Sequence, residues 1–198
     1  MGDFFHASTD RQAVRDRVFE ALKNEEFNIQ ATIMEKSKAQ PHTRTTEELF
    51  YKYGWFYHFQ YSSSKYLPHL TELQSTIATI GTKKKRVLFE DAVRSVVKQT
   101  QTKQKVKTHF WSCQSDPCLW TADYCTWAIQ KKYESSKKEL RPFNSIVDKI
   151  NYEYDLWAHG TKHLYLKSYG RIPNYHLTEV PHGPLSSGAN RFGLLALN

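Results

Sequence analysis

Apolar positions recur along this chain with two different periods. In "STDRQAVRDRVFEALK" Val14, Val18, Ala21 and Leu22 return at helical spacing, and Thr9 stands three residues before Gln12, which predicts a capping box. The next stretch, "FNIQATIM", alternates, placing Phe27, Ile29, Ala31 and Ile33 on one face of a strand. "TTEELFYKYGWFYHFQY" reads as a second helix from about Thr46, with Gly54 as its weak point, and "SSSKYLPH" as a loop. "TIATI" is a short strand closed by Gly81. "KKKRVLFEDAVRSVVKQT" is a basic amphipathic helix with Val87, Leu88, Ala92 and Val96 turned inward, and "KVKTHFW" alternates as a strand. A further helix begins at Asp116–Pro117, where Asp caps and Pro fits the first turn. Leu119, Ala122, Thr126, Ile129 and Tyr133 form its packing stripe, and a last helix is expected from Pro142 to about Trp157.

Strands alternating with helices predict an α/β fold with a parallel or mixed sheet, and a site at the carboxyl ends of its strands. Composition shifts after Trp157. The residues from Gly160 onward hold five of the eight glycines and three of the seven prolines. One domain over residues 1–158 followed by an extended tail over 159–198 is the expected organisation.

Composition and charge narrow the classes. With 198 residues and 39% hydrophobic content the chain is long enough for one real core. No stretch approaches the roughly 18 apolar residues of a membrane span, and no apolar segment follows a basic start as in a secretory leader. Three cysteines imply no disulfide framework, so a reduced, cytoplasmic protein is expected. Between Lys83 and Lys107 nine basic residues face only Glu90 and Asp91, so this segment carries +7 of the net +8. Lys83, Lys84, Lys85 and Arg86 head it. They form either a solvated helix face or a surface that attracts a polyanion such as nucleic acid.

Candidate chemistry centres on the helix Ser115–Glu134. Asp123 lies next to Ala122, one turn after Leu119 and Trp120 and one turn before Trp127. A carboxylate there is costly unless it is paired. It is either a structural Asp bonded to a neighbouring Arg or to backbone, or a carboxylate that faces a metal. Asp116 is a cap or a second acidic ligand. Cys113, Cys118 and Cys125 with His109 match no standard zinc spacing and read as free thiols. There is no glycine-rich phosphate loop and no nucleophile elbow.

"DPCLWTADYCTWAIQKKYE" resembles the C-terminal signature of the bacterial family catalogued as domain of unknown function 3800. In that family a Gln-x-Ala-Asp-hydrophobic pattern lies on a late helix, often followed by an aromatic and Ala-Ile-Gln-Arg-Lys. "DFFHASTDRQAVRDRVFEAL" is similar to the family's His-Ala-Ser segment and following helix, and "FNIQATIMEKSKA" to its next strand. The resemblance runs from Asp3 to about Trp157, and Ala122-Asp123-Tyr124 is its most specific part. It implies a ribonuclease H-like mixed sheet flanked by helices. It also implies metal-dependent cleavage of nucleic acid with Mg²⁺ or Mn²⁺ and Asp123 as the metal ligand. His6, at the family's His-Ala-Ser position, is either a catalytic group near that site or a surface or cap histidine, and Asp116 is a further catalytic candidate.

The chain also departs from that pattern. The family's first strand ends in Asp-Glu-Ser-Gly, which is absent here. Gly81 and Thr82 stand where members tend to carry an Asp, and Trp120 stands where they carry Gln. Two-metal hydrolysis needs carboxylates from several elements around ions roughly 4 Å apart, and Asp116 is about 10 Å along the helix from Asp123. The resemblance therefore implies an N-terminally truncated or degenerate member whose first strands are missing. The alternative function is a catalytically dead module that binds nucleic acid or a partner.

Overall fold

A computed structural model describes residues 4–65, 72–100, 105–134, 139–156, 164–165 and 192–196. Its elements in chain order are α1 (Gln12–Asn24), β1 (Ile29–Glu35), α2 (Glu47–Lys65), β2 (Glu72–Ala78), α3 (Lys83–Thr100) and β3 (Lys105–Trp111). They continue with α4 (Pro117–Glu134), α5 (Arg141–Asn144), β4 (Ile150–Asp155), β5 (Leu164–Tyr165) and β6 (Phe192–Ala196). The class is mixed α/β, as the alternation of periods implies. The strands form two small sheets, one of order β5-β4-β1-β6 and one of β2-β3. β1 runs parallel to β4 and antiparallel to β6, while β2 and β3 are parallel in the register Leu73↔Val106 to Ala78↔Trp111.

The strongest local signals produce their elements. α1, β1, α2, α3, β3 and α4 appear where periodicity puts them, and Gly81 makes the turn between β2 and α3. Its φ of +76° suits glycine, and a Cβ there would meet the Lys85 Cβ at 3.2 Å.

Four expectations are corrected. The helix expected from Pro142 to Trp157 is instead the short α5, a 3₁₀ turn (Val147–Lys149) and strand β4. Ile150, Tyr152 and Tyr154 are a β-branched and two aromatic residues at alternate positions, and pairing with the buried β1 decides their conformation. Thr9 is not the cap of α1: Arg11 holds that position, and Thr9 lies in a turn whose amides, with that of Asp10, bond the His6 carbonyl. On α3, Val87 and Leu88 are 57% and 47% exposed, and the buried face is Phe89, Ala92, Val93 and Val96. On α4 the buried face is rotated towards Tyr124, Cys125 and Ala128 and retains Leu119 and Ile129. The tail expected from Gly160 lies mostly outside the described residues. β5 and β6, two pieces of that region, belong to the four-stranded sheet.

Two cores result. Phe19, Leu22, Ala31, Ile33, Tyr124, Ile129 and Ile146 pack where α1, α4 and the segment after α5 meet one face of β1. Trp55, Phe59, Ile77, Val93 and Val96 pack where α2 and α3 cover the β2-β3 sheet. Each such side chain contributes about 1.5–3 kcal/mol by leaving water. β1 is buried on both faces, so its polar Thr32 needs a partner, and its hydroxyl meets His58 Nδ1 of α2 at 3.0 Å. His58 is wholly buried, and its Nε2 has no partner among the described residues. Burial pushes its pKa from 6.5 down to about 4.

This has a pH consequence. Between pH 6.5 and about 4 the unfolded chain binds a proton at this residue and the folded chain does not. Stability therefore rises with pH across that window and is lost on acidification, by roughly 3 kcal/mol in total. Urea unfolding of the wild type at several pH values should show this slope, and His58→Phe should flatten it.

Candidate functional site

α4 starts where the sequence puts it, because Asp116 Oδ1 accepts the Cys118 amide at 2.7 Å. That carboxylate caps the helix. Two turns on, Asp123 is half-buried and its Oδ2 accepts two hydrogen bonds, from His6 Nδ1 and from the Ala7 backbone amide, both at 2.8 Å. The next residue, Tyr124, donates its hydroxyl to Asp10 Oδ2 at 2.5 Å, and the same oxygen accepts the His6 amide at 2.9 Å. Arg15 completes the arrangement from α1. Its guanidinium donates to the carbonyls of Ala7 (3.1 Å) and Asp10 (2.7 Å) and lies 4.9 Å over the Trp127 ring. The turn His6–Asp10 is thereby tied to α4 by two carboxylates and a guanidinium, all charge-assisted contacts. The structure brings His6 and Asp123 together; it puts Asp116 to work at the helix start.

The surroundings tune the neighbouring acids upward. Burial, then the Asp10 carboxylate, holds the Tyr124 hydroxyl well above its ordinary range. Burial, then the charge of Asp123, raises the Cys113 thiol, and burial pushes Cys125 up to about 12. Cys118 is raised by burial and then by Asp116. All three are free thiols whose surroundings disfavour the thiolate.

Among the described residues no group of three or more His, Cys, Asp and Glu side chains is placed to hold a metal ion. Asp123 has His6 and an amide as neighbours where a two-metal site needs further carboxylates. Among the described residues the donors around it are too few for a Mg²⁺ or Mn²⁺ pair. A second polar cluster stands at the carboxyl ends of β1 and β4, where Lys38 Nζ is 2.6 Å from Glu35 and 3.9 Å from Asp155. Its ammonium is the cation between those two acids. The hydrogen bond to Glu35 raises its pKa, and burial works against that rise. The sequence reading missed this pair because it put Asp155 in a helix.

The basic block lies on α3 and β3. Lys83, Lys85 and Arg86 are exposed on the first turn of α3. Lys85 reaches Glu47 of α2 at 2.6 Å, and Arg86 Nε donates to the Gly81 carbonyl at 3.4 Å. The Lys84 side chain lies outside the described residues. Further along, Arg94 stacks 4.9 Å over Phe110, and Lys107 pairs with Glu72 on the adjacent strand. A hollow beside this turn, lined by Tyr51, Thr79, Ile80, Arg86, Phe89 and Phe110, has about 10 Å³ of space, room for one water. What this end of the molecule offers is an open cationic surface.

No protein-family model matches the chain, no curated protein matches it in sequence, and no solved structure matches its fold.

The bonds around Asp123 make a direct prediction. Asp123→Ala removes the acceptor of two hydrogen bonds at a half-buried position, so the unfolding free energy should fall by about 1–3 kcal/mol. The loss should be the same with Mn²⁺ and with a chelator present, as denaturant titration under both conditions would show. A variant whose loss depended on Mn²⁺ would reveal a metal at this carboxylate.

Proposed function

We propose that this chain is a nucleic-acid-binding module with a ribonuclease H-like arrangement of strands and helices. The observation that carries the reading is the exposed first turn of α3, where Lys83, Lys85 (paired with Glu47) and Arg86 stand at the surface beyond the carboxyl end of β2. Within the segment that holds +7 of the chain's net charge, this turn is a compact cation cluster. Such a cluster gains free energy from a phosphate backbone by releasing condensed counterions. The α3 amide groups that begin the helix add their partial positive charge to the same end. The helices between successive strands, the parallel pairs β1–β4 and β2–β3, and the likeness of the Ala122-Asp123-Tyr124 helix support the ribonuclease H-like part of the reading.

Metal-dependent hydrolysis, the activity that the resemblance implies, is the second reading. What favours it is that Asp123 keeps 24% of its side-chain surface open despite its two bonds. It expects cleavage of nucleic acid in Mg²⁺ or Mn²⁺ that Asp123→Asn abolishes while binding survives. Substrate left intact in both metals leaves binding as the function.

Binding itself should weaken steeply with salt. Replacing Lys83, Lys85 and Arg86 with Gln should reduce the slope of log K against log salt by roughly 2–3, since each phosphate contact contributes about 0.7–0.9. Fluorescence anisotropy with a labelled oligonucleotide over a salt series measures this. An unchanged slope in the triple variant, or no binding at low salt, counts against the proposal.

A further inference from the structure

The β2-β3 sheet has an inner and an outer face. Leu73 and Ile77 on β2 and Phe110 on β3 turn towards α2 and α3 and belong to the second core. The alternate positions therefore turn the other way, so Lys107, His109 and Trp111 form one row along β3. Their register partners are Gln74, Thr76 and Ala78, which are uncharged and no larger than glutamine. Trp111 is 42% exposed, and the His109 and Trp111 ring centroids lie 6.1 Å apart at 51°. A tryptophan left this open on a strand loses much of the stabilisation its burial would bring. Part of its ring is left open to solvent here, beside His109.

This row ends at the basic turn. The Thr79 amide bonds the Trp111 carbonyl at 2.8 Å, which holds the ends of β2 and β3 together. Ile80, Gly81 and Thr82 then lead directly into Lys83 and Arg86. Trp111 and the cations therefore stand at the same, carboxyl end of one small sheet, the aromatic row on its outer face and α3 on its inner face. The pairing suits a chain that carries both exposed base faces and phosphates. In a duplex the base faces are stacked on one another and closed to a ring on a flat sheet. In a single strand they are open.

We infer that the nucleic acid this chain takes is single-stranded, with unpaired bases stacked on Trp111 and His109 and the backbone phosphates held by Lys83 and Arg86. The inference rests on the proposed nucleic-acid binding and names its substrate class. Trp111 acts as a stacking residue and discriminates against duplex, which the cations alone would bind as readily. Ile80, Val87 and Leu88, also exposed near this turn, would instead suit an anionic membrane surface, and the test includes that occupant.

The experiment uses the full chain with three probes: a labelled oligothymidine, a duplex of the same length, and vesicles containing phosphatidylserine. Oligothymidine should bind more tightly than duplex. Trp111→Ala should weaken oligothymidine binding roughly 5- to 160-fold, the range of a lost base stack, and leave duplex binding unchanged. Trp111→Phe should recover most of the affinity. Quenching of tryptophan fluorescence on binding should shrink in Trp111→Phe. Equal affinity for the two oligonucleotides, untouched by Trp111→Ala but still weakened by Lys83→Gln with Arg86→Gln, overturns this inference and leaves nucleic-acid binding standing. Absence of oligonucleotide binding at low salt overturns both, and vesicle binding in its place identifies a membrane as the occupant.

Discussion

β1 is buried on both of its faces, and the organisation of the molecule depends on that constraint. On one side Ala31 and Ile33 enter the core formed with α1 and α4. On the other, Thr32 meets His58 of α2, a helix whose Trp55 and Phe59 belong to the second core. A strand with two buried faces has no side on which a polar group can be hydrated, so its hydroxyl needs an internal acceptor or donor. His58 supplies it at the cost of holding an imidazole neutral in a dry site. One hydrogen bond thus stands at the junction of the two packed halves.

The same logic explains the acidic groups around α4. Asp123 and Asp10 are each satisfied by a backbone amide and a side-chain donor contributed by His6, Ala7 and Tyr124. Glu153, 4% exposed on β4, is met by Lys132 at 2.6 Å and by the Tyr133 hydroxyl. Glu35 and Asp155 share Lys38. In each case the chain answers a partly or fully buried carboxylate with its own donors, and breaking one of these contacts removes part of the compensation that burial of the charge requires. The N-terminal turn owes its position on α4 to such contacts, because little apolar surface lies between His6 and Asp10.

The basic face follows a different rule. Lys83 and Arg86 remain at the surface, and where Lys85 and Lys107 find acids, Glu47 and Glu72, the pairs are about half-exposed. Exposed pairs of this kind add little stability, so neutralising them with phosphate costs the fold little. The charges of α3 stay at the surface, in contrast to the internally paired charges around β1 and α4.

Much of this was legible in the residues. Alternation over Ile29–Ile33 and over Lys105–Trp111, and helical spacing over α1, α3 and α4, identified those elements because the period of their apolar residues is set within a few positions. The Asp116–Pro117 start of α4 was equally local. The basic cluster was visible as composition. Other features depend on partners far along the chain. Residues 150–155 become a strand because β1 offers a parallel edge. Val87 and Leu88 stay exposed because α3 turns Phe89 towards Tyr51 of α2 and Val93 and Val96 into the second core. Asp123 acquires its role from His6 and Ala7, which are 117 and 116 residues away. By itself the sequence determined which stretches could form helices and strands and where the positive charge lay. Tertiary structure decided which strand joined β1, which face of α3 was covered and what each carboxylate bonded, because those outcomes are set by contacts between segments that local periodicity does not encode.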